Sequence, residues 1–326
     1  MPQRISDRDS SALYFVKAIA ILAAVAAHIS VVDLSTPAIA HITRAWDMFS
    51  TISVPCFFVV GGVLYTRKEG DSAAFWRKKW KFMVLPWLFC SVLTCTLRGL
   101  MGYPSDLLGY VKWILGVGTW YYYVTMYLVM LVIFKPIYRC PAALWTCVAV
   151  TAVSLVLRSR SVQIPVDTLV QSEYLNPMYW VGYFSLGILL RRRGLELSKW
   201  LVAACFVILP VSTVWVYRNW IYTYFDIANT VLSLSAFVVL LTLGRWLAST
   251  KLAAPIQWIG TSTYCIYLLH MQIVQSAARR LPDGTFKQLI APFFGVAVMM
   301  VLIEIGKFIT RKLPFGDKLR MLVGLR

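Results

Sequence analysis

Apolar runs of near-spanning length recur along the whole chain, and the polar gaps between them stay under about twenty residues. Ten such segments can be marked: 12–32, 47–66, 82–98, 113–134, 143–158, 177–190, 198–217, 227–247, 255–275 and 289–309. No water-soluble core has room for that many. The expected fold is an all-α polytopic membrane protein of about ten transmembrane helices, with residues 1–326 forming a single transmembrane domain and no fused soluble domain. Segments 143–158 and 177–190 fall short of the roughly 20 residues a span needs, so they must recruit flanking residues, tilt or re-enter.

Composition agrees: 59% of residues are hydrophobic, 14% are charged, and the mean hydropathy is +0.69. The net charge of +18 resembles that of a nucleic-acid binder, but the basic residues sit in short clusters between apolar runs, which excludes that class. With the N-terminus placed inside, 22 Lys and Arg fall in inner loops and 9 in outer loops. This bias puts both termini in the cytoplasm. Arg4 and Arg8 before the first run, with Ala24-Val25-Ala26 within it, imitate a cleaved signal peptide, but the many later spans favour a retained first helix. All seven cysteines lie in or beside apolar runs without metal spacing, so they are expected to be small buried hydrophobes, and no metal site is expected.

Ionisable residues inside apolar runs are the candidate functional groups, because each is costly in a bilayer. In Phe15–Ser30, Lys17 and His28 are eleven residues apart, which on an α-helix leaves them within about 20° of one face and about 16 Å apart in height. Lys17 near the inner side can snorkel; His28, deeper toward the outside, can act as a general base. His270 lies on a segment that enters from the inside near Pro255 and reaches a depth similar to that of His28, with Tyr267 and Thr263 on its face. It reads equally as an imidazole bonded within the bundle. Glu304 falls close to the level of Lys17, and the two are expected to pair or to share a polar ligand. His41, in the first outer loop beside Arg44 and Asp47, is expected to be merely solvated.

The basic inner loop runs from Arg67-Lys68 to Arg77-Lys78-Lys79-Trp80-Lys81, with Trp76 and Trp80 interleaved. It fits either a positive-inside anchor or a docking site for a phosphate-bearing cytosolic substrate. Aromatic stretches such as Trp120–Tyr123 and Trp215–Tyr224 fit an interfacial belt or sugar stacking.

These fragments together resemble the acyltransferase-3 family of membrane O-acyltransferases. Val16 to Ile21 and then His28 follow the family's first-helix pattern, with Lys17 in place of Arg; Val54-Pro55-Cys56-Phe57-Phe58 to Leu64 follows its second helix, with Gly61 in place of Ser. The loop Phe75 to Lys81 before Pro86, Trp120-Tyr121-Tyr122, Phe184-Ser185-Leu186-Gly187 and Thr263-Tyr264 through Ile266 to His270 occur in the family's order. Glu304 stands where the family has a late Glu-x-Pro, with Gly306 in place of Pro.

The resemblance implies transfer of an acyl group, usually acetyl, from cytoplasmic acetyl-CoA or another acyl-CoA to a hydroxyl of a cell-surface glycan or lipid-linked sugar. It implies His28 as the catalytic centre with Lys17 and Glu304, Arg77, Lys78 and Lys81 on the acyl-CoA phosphates, and His270, Tyr267, Trp120 and Tyr121 on the acceptor or supporting side. The implied setting is the inner or plasma membrane, with no bound cofactor. Expected partners are acyl-CoA, the glycan or lipid-linked saccharide and membrane lipids, with room for a homo-oligomer and none for nucleic acid. A carrier or exporter of acyl groups or glycan precursors would use the same polar path without bond chemistry, and a membrane module of a larger protein is a third reading.

Overall fold

The computed structural model describes residues 5–29, 36–65, 72–162, 164–170, 172–282 and 284–325. Arg4, Ser30, Arg67 and Lys68 lie outside the described residues. The chain is 81% helical, with no strand among the described residues. Its helices are α1 (Asp7–Ile29), α2 (Pro37–Ser50), α3 (Ser53–Val63), α4 (Ser72–Lys79), α5 (Leu85–Leu100), α6 (Leu107–Leu115), α7 (Tyr122–Ile137), α8 (Pro141–Ser159), α9 (Pro165–Val170), α10 (Val181–Arg192), α11 (Lys199–Asn219), α12 (Ile227–Leu247), α13 (Ala253–Ala278), α14 (Thr285–Arg311) and α15 (Gly316–Leu322).

Starts are set by local chemistry. The side chains of Thr36, Asp106, Ser198 and Asp226 each accept a backbone N–H at the head of the following helix, and Pro37 and Pro141 occupy first-turn positions where no N–H is needed. Between α4 and α5, residues Trp80–Val84 form a single π-turn in which Leu85 N–H reaches back to Trp80 O. Pro86 follows at once, and its ring and missing N–H account for the wider turn.

Among the described residues, seven helical stretches are long and apolar enough to cross a membrane: 7–28, 37–63, 72–100, 141–159, 199–219, 227–247 and 285–311. The remaining marked segments are built differently. Segment 113–134 is divided between the end of α6 and the sixteen-residue α7, and 177–190 supplies the twelve-residue α10. Segment 255–275 lies inside the 26-residue α13, whose Gln257, His270, Gln272 and Gln275 lower its hydropathy.

The core is organised around α1, which packs against α2, α3, α12, α13 and α14. Ala12, Val16, Ala20 and Ala23 are all fully buried, and small side chains of this kind let helix backbones approach closely without a water-driven force. A second close contact joins α3 to α10. A Cβ placed on Gly187 would lie 2.1 Å from Val59 O, so only glycine fits there.

One end of the bundle is tied by a polar knot. Arg245 pairs with Asp9 at 2.7 Å and donates to Leu195 O at 2.7 Å, while Arg8 Nε donates to Arg245 O at 3.1 Å. This links α1, α12 and the connection after α10. Arg245→Ala is expected to destabilise the protein by about 1–3 kcal/mol, because it strands a half-buried carboxylate and a carbonyl. A thermal melt in detergent would show it, and an unchanged midpoint would mean that the knot carries no stability.

All seven thiols are free; Cys56, Cys90, Cys95, Cys205 and Cys265 are buried. Cys140 departs from expectation. It precedes α8 at the bundle surface and is exposed, and Cys147, one side of α8, is half-buried. His41 also departs: it sits on α2 rather than in a loop, and its Nδ1 is 2.5 Å from the Tyr217 hydroxyl. The apolar positions of 37–50 are spaced for one face of a helix, and the polar ones, His41 and Arg44 among them, lie at helical intervals.

Candidate functional site

Away from the Arg245 knot, the last turn of α1 meets the middle of α13. The rings of His28 and His270 stand 5.1 Å apart, centroid to centroid, tilted by 42°. Helices α1 and α13 run side by side in the same direction, Ser11 meeting Gln257, Tyr14 meeting Gly260 and His28 meeting Gln275, so similar depth is accompanied by a shared face. Gln275 Nε2 donates to His28 O at 3.4 Å, latching α13 to the end of α1.

His270 is 1% exposed, and its Nδ1 is 2.7 Å from Tyr267 O. A carbonyl oxygen only accepts, so Nδ1 carries the proton and Nε2 presents a lone pair. Nε2 is buried without a hydrogen-bond partner. An imidazole in this tautomer is ready to accept a proton or a hydroxyl hydrogen bond.

The turn before α7 completes the cluster. Gly116, with φ of +89°, closes α6, and a Cβ there would lie 2.1 Å from Tyr122 N, so glycine is required for the chain to double back. Trp120 is thereby set 6.5 Å from His28 and 6.1 Å from His270, ring to ring. The Tyr267 hydroxyl donates to Trp120 O, and the Tyr121 hydroxyl donates to Leu268 O at 2.9 Å. Two tyrosine hydroxyls thus fasten the turn to α13 at Tyr267 and Leu268, just before His270. Tyr267→Phe is expected to loosen this attachment and lower thermal stability by about 1 kcal/mol; a midpoint equal to wild type would show that the bond adds nothing.

These groups wall a cavity of about 650 Å³ that also touches Ser53, Arg98, Tyr224, Gln272 and Gln275. Its size suits a sugar-sized ligand. Of the residues singled out in the sequence, His28, His270, Tyr267 and Trp120 line this cavity, and Tyr121 stands behind them, bonded to Leu268 O.

The others are elsewhere. Lys17 lies with its Nζ 5.1 Å from the Tyr14 ring centroid. Glu304 takes different partners from the one expected: it accepts from Trp258 Nε1 at 2.8 Å and from Lys307 Nζ at 2.7 Å rather than pairing with Lys17. Lys307, one turn on along α14, meets the carboxylate at far lower entropic cost than a residue on another helix. Arg77, Lys78 and Lys81 are exposed on α4 and the π-turn, and Arg77 borders a second, apolar groove of about 910 Å³ beside Trp76, Trp80 and Trp87. Among the described residues, no group of three or more His, Cys, Asp or Glu could hold a metal ion.

Arg98, Gln272 and Gln275 were not singled out in the sequence. Arginine at a helix end and glutamine late in a span look ordinary there, and only the folded arrangement aims them into one space.

No curated protein and no solved structure matches the chain significantly. The acyltransferase-3 profile, described as an acyltransferase domain, matches residues 11–307 and so takes in every helix from α1 nearly to the end of α14, including both imidazoles. The chain therefore belongs to the acyltransferase-3 family and is a membrane acyltransferase.

Proposed function

We propose that the protein moves an acetyl group from cytoplasmic acetyl-CoA to a hydroxyl of a cell-surface glycan or a lipid-linked sugar precursor. The observation that carries this reading is the His28–His270 pair, 5.1 Å apart on the wall of a sugar-sized cavity, in a chain of an acyltransferase family. The topology that goes with it has ten passes, both termini in the cytoplasm, and the plasma membrane as its site. The positive-inside bias supports this orientation, since the Arg77–Lys81 cluster then faces the cytosol and the cavity faces out.

The chemistry balances without a cofactor. His28 takes the proton of the acceptor hydroxyl as its oxygen attacks the thioester carbonyl; the C–O bond forms, the C–S bond breaks, and the proton passes to the departing CoA sulfur. His270, with its bare Nε2, orients the same hydroxyl or relays that proton. Arg77, Lys78 and Lys81 hold the CoA phosphates, and Lys17 stands on the donor side of α1. Glu304 supports that side through Lys307 and Trp258.

The test is to supply membranes expressing the protein with acetyl-CoA labelled in the acetyl group and to count the extracted glycan. Label above the level of empty membranes supports the reading, and excess unlabelled succinyl-CoA should not displace it. Label absent from glycan but present as translocated acetyl-CoA would favour the carrier reading instead. Arg77→Ala together with Lys81→Ala is expected to raise KM for acetyl-CoA by about tenfold with little change in kcat, from the loss of two phosphate contacts. An unchanged KM would remove these residues from donor binding.

A further inference from the structure

The cavity beside the two histidines presents three ligand-ready groups of complementary kinds, one exposed cation and two buried acceptors. Arg98, at the last turn of α5, is the one residue with a permanent charge among the described residues lining it; no Asp, Glu or Lys shares the wall. Its guanidinium lies 5.1 Å from the Trp113 ring centroid and 5.4 Å from that of Tyr103, and it has no carboxylate partner among the described residues. Stacking holds the plane of the guanidinium and leaves its edge N–H groups to a ligand. The other two groups are acceptors. Gln272 Oε1 and His270 Nε2 are both buried without a hydrogen-bond partner, and both belong to residues that line the cavity.

An exposed guanidinium in a partly apolar wall offers an anion a charge-assisted partner, and two buried bare acceptors call for hydroxyl donors. Tyr224 and Tyr174 supply aromatic surface for a pyranose face. We infer that the acceptor is an acidic sugar, one whose ring hydroxyls face Gln272 and His270 while a carboxylate or phosphate group lies against Arg98. This rests on the reading of the cavity as the acceptor side. A neutral hexose would forgo the charge-assisted contact with Arg98; a simple anion would leave both acceptors bare.

The test is binding, so it does not depend on acyl transfer. Full-length protein purified in detergent is titrated with glucuronate, glucose 1-phosphate and glucose, following the fluorescence of the tryptophans, two of which line the cavity. Glucuronate or glucose 1-phosphate is expected to bind at least about tenfold more tightly than glucose, as a charge-assisted hydrogen bond allows. Arg98→Gln should erase that difference, and Arg98→Lys should retain part of it. Which of the two acids binds tighter separates a carboxylate from a phosphate ligand. Equal binding of all three sugars, binding of none, or an undiminished preference in Arg98→Gln with an unchanged melting midpoint would overturn the inference. Acid-selective binding in a protein that transfers no label would sink the transfer reading and leave the cavity as an acidic-sugar binding site.

Discussion

His28→Ala is expected to lower acyl transfer by about 100- to 10,000-fold, the range that a positioned general base contributes. The loss should fall on kcat, because the imidazole acts on the proton in flight rather than on the resting sugar. The fold has little reason to change. His28 is half-buried in the last turn of α1, and the hydrogen bond from Gln275 goes to its backbone oxygen, which alanine keeps. Size-exclusion behaviour in detergent and the thermal midpoint should therefore match wild type. Activity within about threefold of wild type, at equal folded protein, would take His28 out of the mechanism and leave His270 as the base.

Gly187→Leu is expected to yield no folded protein. The Cβ alone would come within 2.1 Å of Val59 O and 2.8 Å of Val63 N, both backbone atoms that cannot rotate away. Relief requires α10 to move off α3, and with it Phe184, which is fully buried against Tyr65, Tyr127 and Phe134. Overpacking on this scale, against backbone rather than a flexible side chain, costs more than about 4 kcal/mol. Fluorescence-detected size exclusion of a tagged variant should show aggregate alone. A monodisperse peak with the wild-type midpoint would mean that the α3–α10 contact is far more pliant than drawn.

The candidate site was largely legible because bilayer physics makes polar groups conspicuous. Two histidines within apolar runs that enter from the same side to a similar depth share a level, and the parallel packing of α1 on α13 brings their rings to 5.1 Å. Depth arithmetic fixes level and not direction around the helix, however. That is why Lys17 and Glu304, close in level, take other neighbours: the Tyr14 ring for one, Trp258 and Lys307 for the other. The same limit hid Arg98, whose importance depends on Trp113 and Tyr103 turning it toward the cavity. The first part of α2, with His41 and Arg44, reads as loop because its polar residues lower its hydropathy, although their spacing is helical. The short α10 carries a strong packing constraint, in Gly187, that no hydropathy window registers.

Sidedness links the His28 cavity, the basic Arg77–Lys81 surface and the inferred orientation in one experiment. Sealed vesicles of both orientations, prepared from the same expressing cells, are given labelled acetyl-CoA from outside only. The account predicts label in glycan from inside-out vesicles, where the cytoplasmic face is exposed, and none from right-side-out vesicles until they are made leaky. Label incorporated equally by sealed right-side-out vesicles would contradict it, because donor and acceptor would then be meeting on one side, with no transfer across the bundle.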